Sequence, residues 1–317
     1  MTIQERQVPY GDGIVVVRDF GGSGPDVLFV HAPGFCAAAW DRVAAALEGK
    51  VHAYALDLPG HGGSTASARR PADAWNSILA VARHLDLSPL LVGLGQGTHA
   101  SLCAAIEDPE LFTGVVALGG ACARTEESAA DDIAFYTSPQ FRGSLRDRFY
   151  FGRTGTTVAE AELLMDRITA QLARDWRVVG FKGLREELRY SIRAAPDGSG
   201  WVNLPHPDTI IRLVSVETGD RLYPDERLYR RIRVPVCIVQ LSDGLDAANA
   251  QRERALAHTH PLVSVRGLDS GEYPHYTRYQ EVAAIVLETC EMAQALEGRP
   301  ASPPLGTPAG SPRPRII

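Results

Sequence analysis

Two hydrophobic patterns alternate along much of this chain. Short continuous apolar runs, such as residues 90–92 and 236–239, are typical of parallel strands buried on both faces. Longer stretches with helical periodicity separate these runs. This alternation predicts a mostly parallel sheet covered by helices. The predicted strands are residues 14–20, 27–31, 52–57, 90–95, 114–119, 236–241 and 262–268, and the predicted helices are residues 37–47, 71–85, 96–106, 247–258 and 276–295.

The alternation stops near Ala123 and resumes near Val234. The intervening stretch of about 110 residues is rich in arginine and aromatic residues, and its periodicity indicates helix rather than strand around residues 158–173 and 181–194. An insertion of this length in a regular sheet predicts a cap rather than a loop. After Leu296 the chain is rich in Pro, Ala, Gly and Ser, which predicts disorder. We therefore divide the chain into core residues 1–123, a helical cap at 124–233, core residues 234–297 and a tail at 298–317.

The composition narrows the functional classes. The 317 residues are 45% hydrophobic and 22% charged, with a formal net charge of −6, which argues against a nucleic-acid binder that works through bulk charge. The sequence has no apolar run of the roughly 20 residues that a membrane span requires and no apolar segment typical of a signal peptide near residue 1. Five scattered cysteines without a C-x-x-C pair are typical of buried small hydrophobes in a reducing compartment. We expect a cytoplasmic protein without a metal site.

Four sequence blocks carry a family resemblance. They are residues 27–40 (VLFVHAPGFCAAAW), 57–64 (DLPGHGGS), 90–98 (LLVGLGQGT) and 268–282 (LDSGEYPHYTRYQEV). In order and spacing they resemble the His-Gly loop, the D-x-x-G-x-G-x-S turn, the G-x-S-x-G elbow and the catalytic-histidine loop of the α/β-hydrolase superfamily. The resemblance covers residues 14–296 apart from the cap and is closest to the lidded branch. It implies an α/β-hydrolase fold, with a pocket at the carboxyl ends of the strands beneath the cap.

The positions that carry catalysis in this family hold other residues here. The elbow alignment places Gly95 where the nucleophile stands, and glycine has no side chain that could attack a substrate. The histidine position falls on Glu272 and the acid position on Gly244, with Asp243 or Asp246 as substitutes for the acid. An acid without a histidine has no imidazole to orient. The resemblance therefore predicts the fold of a hydrolase without its Ser-His-Asp triad.

The oxyanion loop, residues 31–40, also departs from the family pattern. Pro33 stands where the family uses a backbone N–H, which proline lacks. Gly34 or Phe35 could supply a donor if the loop shifts. The N–H of Gln96, directly after the elbow, should remain available at a helix N-terminus, which favours an anionic oxygen. A carboxyl base and one such amide suit proton abstraction, elimination, ring closure or isomerisation.

Three functional hypotheses follow. The first is a non-hydrolytic, cofactor-independent enzyme of the kind found in bacterial secondary metabolism, with Glu272 as a base whose pKa an apolar pocket would raise, and His275 as a second titratable group. The second is a catalytically inactive homologue that binds a small molecule as a receptor. The third is an atypical hydrolase, for which the thiols of Cys36 and Cys122 are candidates only if their pKa values are depressed. Oxygen stays open as a co-substrate, although the cofactor-free oxygenases of this fold keep a histidine base.

The expected ligand is a small, apolar, polycyclic or polyketide-like organic molecule, because the cap is rich in aromatic residues that suit such a ligand. The same residues would also serve packing between cap and core. A stretch of the cap, residues 141–153, mixes arginines with aromatics, which is either an anion-binding patch or a solvated face. We expect neither nucleic acid nor a membrane as a partner, and leave a homodimer open. The residues expected to contact the ligand are Gly34, Phe35, Gly95, Gln96, Cys122, Tyr136 and Tyr273.

Overall fold

A computed structural model describes residues 2–174, 184–195 and 197–297. The predicted tail, residues 298–317, and residues 181–183 of one predicted helix lie outside the described residues. The strands of the described chain are β1 (Gln4–Tyr10), β2 (Gly13–Gly22), β3 (Asp26–Val30), β4 (His52–Leu56), β5 (Leu90–Leu94), β6 (Gly114–Leu118), β7 (Thr154–Gly155), β8 (Ile192–Ala194), β9 (Trp201–Asn203), β10 (Val236–Asp243) and β11 (Val263–Gly271). The helices are α1 (Asp41–Ala46), α2 (Ala72–His84), α3 (Gln96–Glu107), α4 (Glu126–Tyr136), α5 (Pro139–Asp147), α6 (Val158–Leu172), α7 (Leu184–Ser191), α8 (Pro207–Val214), α9 (Ala250–Thr259), α10 (Pro274–Thr277) and α11 (Tyr279–Glu297).

Eight strands form the central sheet in the order β1-β2-β4-β3-β5-β6-β10-β11. The β1–β2 and β2–β4 pairs are antiparallel, and the remaining pairs are parallel. This mostly parallel sheet flanked by helices confirms the predicted α/β-hydrolase fold class. The register pairs Val30 with Gly93 and Leu94 with Leu118, so β3, β5 and β6 end side by side. The loops that leave these three strands therefore meet at one edge of the sheet, where the candidate site lies.

Side chains of the central strands alternate between two apolar layers. Leu28 and Leu91 are fully buried on the face covered by α2 and α3. Phe29 and Val92 are fully buried on the opposite face, against residues of α1 and α11. Burying one such side chain is worth roughly 1.5–3 kcal/mol. The continuous apolar runs in the sequence thus serve both layers at once, as their pattern predicted.

The cap sequence contains strands that the periodicity did not predict. Between β6 and β10 lie α4–α8 and a three-stranded sheet in the order β7-β9-β8. Our expectation of helix throughout residues 181–194 was wrong, because α7 ends at Ser191 and β8 follows it. Each of these strands has only two or three residues, too few to show a periodic pattern, and β7 pairs with β9 almost 50 residues away. In the described part of the chain, no helix combines the length and apolar character needed to cross a membrane.

Candidate functional site

The turn from β5 into α3 has the backbone geometry of an elbow. Gly95 at its centre has φ +53° and ψ −120°, a conformation that glycine adopts at little cost and that L side chains rarely adopt. Gly93 and Gly97 flank it, and a Cβ at either would lie 2.5 Å from neighbouring backbone atoms. A Cβ at Gly95 would meet only the Ala32 Cβ, at 3.5 Å, within a 4 Å radius. The elbow is therefore tightly built on both sides and has room for a side chain at its centre.

Gln96 is the first residue of α3, a helix of 12 residues. Its N–H has no acceptor within the helix, because the first N–H groups of any helix lack one. The positive end of the helix dipole lies at the same point and favours negative charge. The loop after β6 packs directly against this turn, since a Cβ at Gly120 would lie 2.3 Å from the carbonyl oxygen of Gly95. Gln96 thus offers one hydrogen-bond donor to an anionic oxygen above Gly95.

The oxyanion loop engages both N–H groups that we expected to become donors if the loop shifts. The Gly34 N–H donates to Nε2 of His61 at 3.1 Å, and the Phe35 N–H donates to the Ala32 carbonyl at 3.0 Å. Neither group is therefore a free donor in this conformation, and a donor from Gly34 or Phe35 after a shift of the loop stays a prediction. A second donor from this loop requires one of the two bonds to break.

His61 is a residue whose role the sequence did not reveal. It is fully buried, and burial lowers its pKa to about 4, so the imidazole is neutral near pH 7. Its Nδ1 lies 3.0 Å from the Pro59 carbonyl, and with the proton on Nδ1 its Nε2 accepts from Gly34. The D-x-x-G-x-G-x-S turn thereby holds the oxyanion loop in place.

Asp57, which begins the same turn, connects three segments. Its carboxylate accepts hydrogen bonds from the Ala37 N–H at 2.7 Å, the Gly63 N–H at 2.8 Å and the Tyr190 hydroxyl at 2.8 Å. Burial raises the pKa of this carboxyl to about 6, although each of the three donors lowers it. Tyr190, one of the aromatic residues of the predicted cap, directs its hydroxyl at this carboxylate. The motif therefore joins the oxyanion loop, its own turn and the cap.

The carboxylate of Glu272 is oriented by the acid loop, residues 243–246, at the end of β10. Its Oε2 accepts a hydrogen bond from the Leu245 N–H at 2.7 Å. A Cβ at Gly244 would lie 2.8 Å from the Leu241 Cβ and 3.4 Å from the same oxygen, so packing against Leu241 is what favours glycine at this position. Glu272 is half-buried. The structure therefore places a hydrogen-bonded carboxylate, held by the acid loop, at the position that aligns with the family histidine.

Asp246 is the acidic residue of the acid loop that reaches the elbow. Its Oδ2 accepts from the Gly120 N–H at 2.6 Å, and Gly120 packs against Gly95. Asp243 is exposed at the end of β10, where it pairs with Gly271. Of the two aspartates that could substitute for an acid at position 244, Asp246 is the one brought to the elbow.

Tyr136 adds a proton donor to this group. Burial chiefly, together with the carboxylates of Asp132, Asp246 and Glu272, raises its pKa to about 12, against the opposing effect of Arg124. The phenol therefore stays protonated near neutral pH. Arg124 is itself buried and pairs with Asp132, a pairing that the sequence did not indicate.

His275 lies in an aromatic cage rather than in a polar site. Its ring centre is 3.9 Å from that of Tyr276, 5.4 Å from that of Trp40 and 5.7 Å from that of Phe35. Within the described part of the chain neither ring nitrogen has a hydrogen-bond partner, and burial lowers the pKa to about 3. Tyr273 closes the cage, with its ring edge-on to Phe35 at 5.3 Å. An imidazole with no partner and no exposure does not fit the acid–base role that we considered for it.

The thiols considered as nucleophiles are buried. Cys122 has φ +57° and lies 3.5 Å from the Gly120 carbonyl, and burial raises its pKa to about 12. Burial likewise raises the pKa of Cys36 well above its ordinary value. Both are thiols at neutral pH, and a thiol is a poor nucleophile. Among the described residues, no group of three or more His, Cys, Asp or Glu side chains could hold a metal ion.

The alpha/beta hydrolase family model matches residues 27–285, which include the elbow, the oxyanion loop and Glu272. The chain belongs to the alpha/beta hydrolase family. Of the curated proteins, it is similar to a pimeloyl-[acyl-carrier protein] methyl ester esterase of Chromobacterium violaceum, with 40% identity over 76 residues. That alignment covers 24% of this chain and 29% of the relative, so the matched region spans less than a third of the curated relative.

Solved structures share the fold of this family member across nearly all of both chains. An E-2-(acetamidomethylene)succinate hydrolase superposes with a TM-score of 0.68 at 20% identity and covers 92% of this chain and 100% of its own. A thioesterase domain from the curacin biosynthetic pathway gives 0.66 at 18%, covering 90% and 100%. An epoxide hydrolase from Bacillus megaterium gives 0.63 at 15%, covering 90% and 100%. At these identities the similarity shows the fold alone.

Proposed function

We propose that this family member catalyses a non-hydrolytic, cofactor-independent acid–base reaction on a small apolar organic substrate. The observation that carries the proposal is the pairing of an elbow that has no side chain at Gly95 with a carboxylate, Glu272, held by the acid loop. Glycine leaves room for a substrate atom where a nucleophile would stand. The carboxylate can accept a proton but cannot shuttle it as an imidazole does.

The proposed chemistry assigns one role to each of three groups. Glu272 removes a proton from a carbon next to a carbonyl, and the electron pair moves onto the carbonyl oxygen. The Gln96 N–H, at the N-terminus of α3, donates to the resulting enolate oxygen. Tyr136, protonated near pH 7, returns a proton to carbon or to a leaving oxygen. Elimination, isomerisation and ring closure all begin with this proton abstraction.

A second candidate is a small-molecule binding protein that keeps the pocket and has lost catalysis. The oxyanion loop favours this alternative, since the Gly34 and Phe35 N–H groups are both engaged within the protein. An oxyanion site with the Gln96 donor alone stabilises a developing negative charge less than a site with two donors. Binding requires no such stabilisation.

The deciding experiment is hydrogen–deuterium exchange into carbon acids. The protein is incubated in D2O with a panel of bulky apolar ketones and 1,3-dicarbonyl compounds, and deuterium incorporation at carbon is followed by NMR and mass spectrometry. We expect at least one compound to exchange faster with protein than without it. Glu272→Gln should abolish the enhancement, whereas Glu291→Gln, an exposed glutamate of α11, should leave it unchanged.

Each other outcome assigns the site differently. Saturable binding of a panel compound with no exchange, equal in wild type and Glu272→Gln, would establish the binding-protein alternative. Turnover of p-nitrophenyl esters by the wild type, with labelling by a serine- or cysteine-directed probe, would establish an atypical hydrolase. Exchange that persists at full rate in Glu272→Gln would remove this residue from the mechanism.

A further inference from the structure

A cavity of about 370 Å³ lies in the cap between α5 and α8. It is open to solvent, and its charged lining side chains are exposed, unlike the aromatic cage around His275. None of its lining residues belongs to the elbow, the acid loop or the oxyanion loop. The side chains that matter for its chemistry are Arg142, Arg146, His206, Asp208, Thr209 and Arg212.

Helix packing brings these side chains together. Leu145 of α5 packs with Ile210 and Ile211 of α8 in one apolar cluster, so the two helices lie against each other. Arg142 and Arg146 are four residues apart and therefore share one face of α5. Asp208 and Arg212 share a face of α8 for the same reason. The polar faces of the two helices border the cavity on either side of their apolar contact.

Positive charge in the cavity wall exceeds negative charge. Three arginines face a single carboxylate, Asp208, which pairs with Arg142. Among the described residues, Arg146 forms an ion pair with Asp147 alone, which lies outside the lining, at 3.3 Å. Arg212 has no ion pair among the described residues. Guanidinium groups that converge without enough carboxylates repel one another, and an anion from solution relieves this repulsion.

We propose that this cavity binds the phosphate of a small phosphorylated molecule. Arginine presents a planar fork of N–H donors that matches phosphate oxygens, and such charge-assisted bonds are among the strongest hydrogen bonds in proteins. The Thr209 hydroxyl adds a donor in the same wall. The volume lies near the lower end of small-molecule sites, about 300–1,000 Å³. The concave shape suits a compact anion better than an extended one.

The site is separate from the proposed active centre, and its occupancy does not depend on the reaction there. The apolar side of α8 and the segment after α5 lie against the oxyanion loop, because a Cβ at Gly34 would lie 3.7 Å from Ile210 and 3.5 Å from Phe151. The charged face of the α5–α8 pair is therefore available for anion binding, while its apolar side packs toward the oxyanion loop. The residues named for anion binding are absent from the proposed acid–base machinery.

Titration calorimetry with inorganic pyrophosphate tests the proposal on the full chain, in a phosphate-free buffer of low ionic strength. We expect saturable binding with one site per chain. Arg212→Gln should weaken it about tenfold or more, because it removes the arginine without a protein partner. Asp208→Asn should tighten it several-fold, because it releases Arg142 for the ligand. Arg233→Gln, an exposed arginine just before β10, is the matched control and should bind as the wild type does.

Three results would overturn the proposal. The first is heat that never saturates, as a merely solvated arginine face would give. The second is an equal loss of affinity in Arg212→Gln and Arg233→Gln, which would reflect net charge alone. The third is binding of poly-glutamate but not of pyrophosphate, which would assign the face to an acidic protein partner. Circular dichroism of each variant confirms that the exposed substitutions leave the fold intact.

Discussion

Glu187 should make the stability of the protein depend on pH in a direction opposite to that of most carboxylates. This residue of α7 is buried, and Oε2 of its carboxyl accepts a hydrogen bond from the Tyr276 hydroxyl at 2.5 Å. Burial raises the pKa of Glu187 to about 8, with a further contribution from the charge of Asp41, although the tyrosine bond lowers it. The perturbation that we consider is Glu187→Gln, which keeps the shape and the acceptor oxygen but cannot ionise.

The sign follows from proton binding in the two states. The unfolded chain releases this proton near the ordinary pKa of 4.5, whereas the folded protein holds it until about pH 8. Between these values the folded state binds more protons, so stability falls as pH rises. Each pKa unit is worth about 1.4 kcal/mol, so the free energy of unfolding falls by roughly 4 kcal/mol at most between pH 4.5 and 8. Above pH 8 the loss is complete.

Urea unfolding at pH 5, 7 and 9, followed by fluorescence, measures the effect. We expect wild type and Glu187→Gln to be nearly equally stable at pH 5, and the variant to be more stable by about 2–4 kcal/mol at pH 9. Asp57, whose pKa burial also raises, contributes equally to both proteins, so it cancels from the difference. Glu186→Gln, exposed on the same helix, should follow the wild type at every pH. A difference between wild type and Glu187→Gln that is the same at pH 5 and 9 would refute the reasoning.

Three further predictions concern backbone strain, an unpaired histidine and the thiols. In urea unfolding, Gly95→Ala should lower the free energy of unfolding by about 1–3 kcal/mol, because alanine is strained at the positive φ of this position. Gly120→Ala should lower it by more, because its Cβ would also lie 2.3 Å from a carbonyl oxygen. His275→Phe should raise the free energy of unfolding by about 1–3 kcal/mol, since it removes two buried nitrogens without hydrogen-bond partners among the described residues. The variant should keep the deuterium exchange at carbon, and loss of that exchange would give the imidazole a role in the mechanism. N-ethylmaleimide should label the native protein slowly and the urea-unfolded protein fully, with the number of labels counted by mass spectrometry. The reason is that all five cysteines are buried and that burial raises the pKa of each thiol. They are Cys36, Cys103, Cys122, Cys237 and Cys290.

The core strands could be predicted from sequence because their signal is local. A strand buried on both faces needs a continuous apolar run, and β5 and β6 have one. The edge strand β1 gives no such signal, since Val8 is its one buried residue. The cap strand β9 also lacks a local signal in the sequence. Its Trp201 packs against Gly155 and donates its Nε1–H to the Thr157 carbonyl at 2.8 Å, and these contacts join segments that are distant in the chain. Strands fixed by such contacts carry no periodic pattern.

In the candidate site, too, the features with a local sequence signal could be predicted and those that depend on long-range contacts could not. The motifs located Gly95, Gln96 and Glu272 because the spacing of glycines and turns is written in short stretches. They could not show that His61 takes the Gly34 N–H, because that bond joins segments 27 residues apart. The burial of Glu187 could not be predicted from sequence either, because it depends on contact between α7 and α10, and its partner Tyr276 is 89 residues away in the chain. Local sequence patterns predict where the turns and loops of the site lie. The hydrogen-bond partners and the pKa shifts of its side chains depend on tertiary contacts.

Packing accounts for the glycines around the elbow, independently of any reaction at the site. Gly93, Gly97 and Gly120 are required by packing, since a Cβ at any of them would lie within 2.6 Å of neighbouring backbone. Folding alone therefore requires glycine at these positions, whatever chemistry the site performs. The central residue is under no such packing constraint, because a Cβ at Gly95 meets only Ala32 at 3.5 Å, and its positive φ is what favours glycine there. Retention of the G-x-G-x-G pattern consequently argues for the fold, and the reaction must be inferred from the side chains around the elbow.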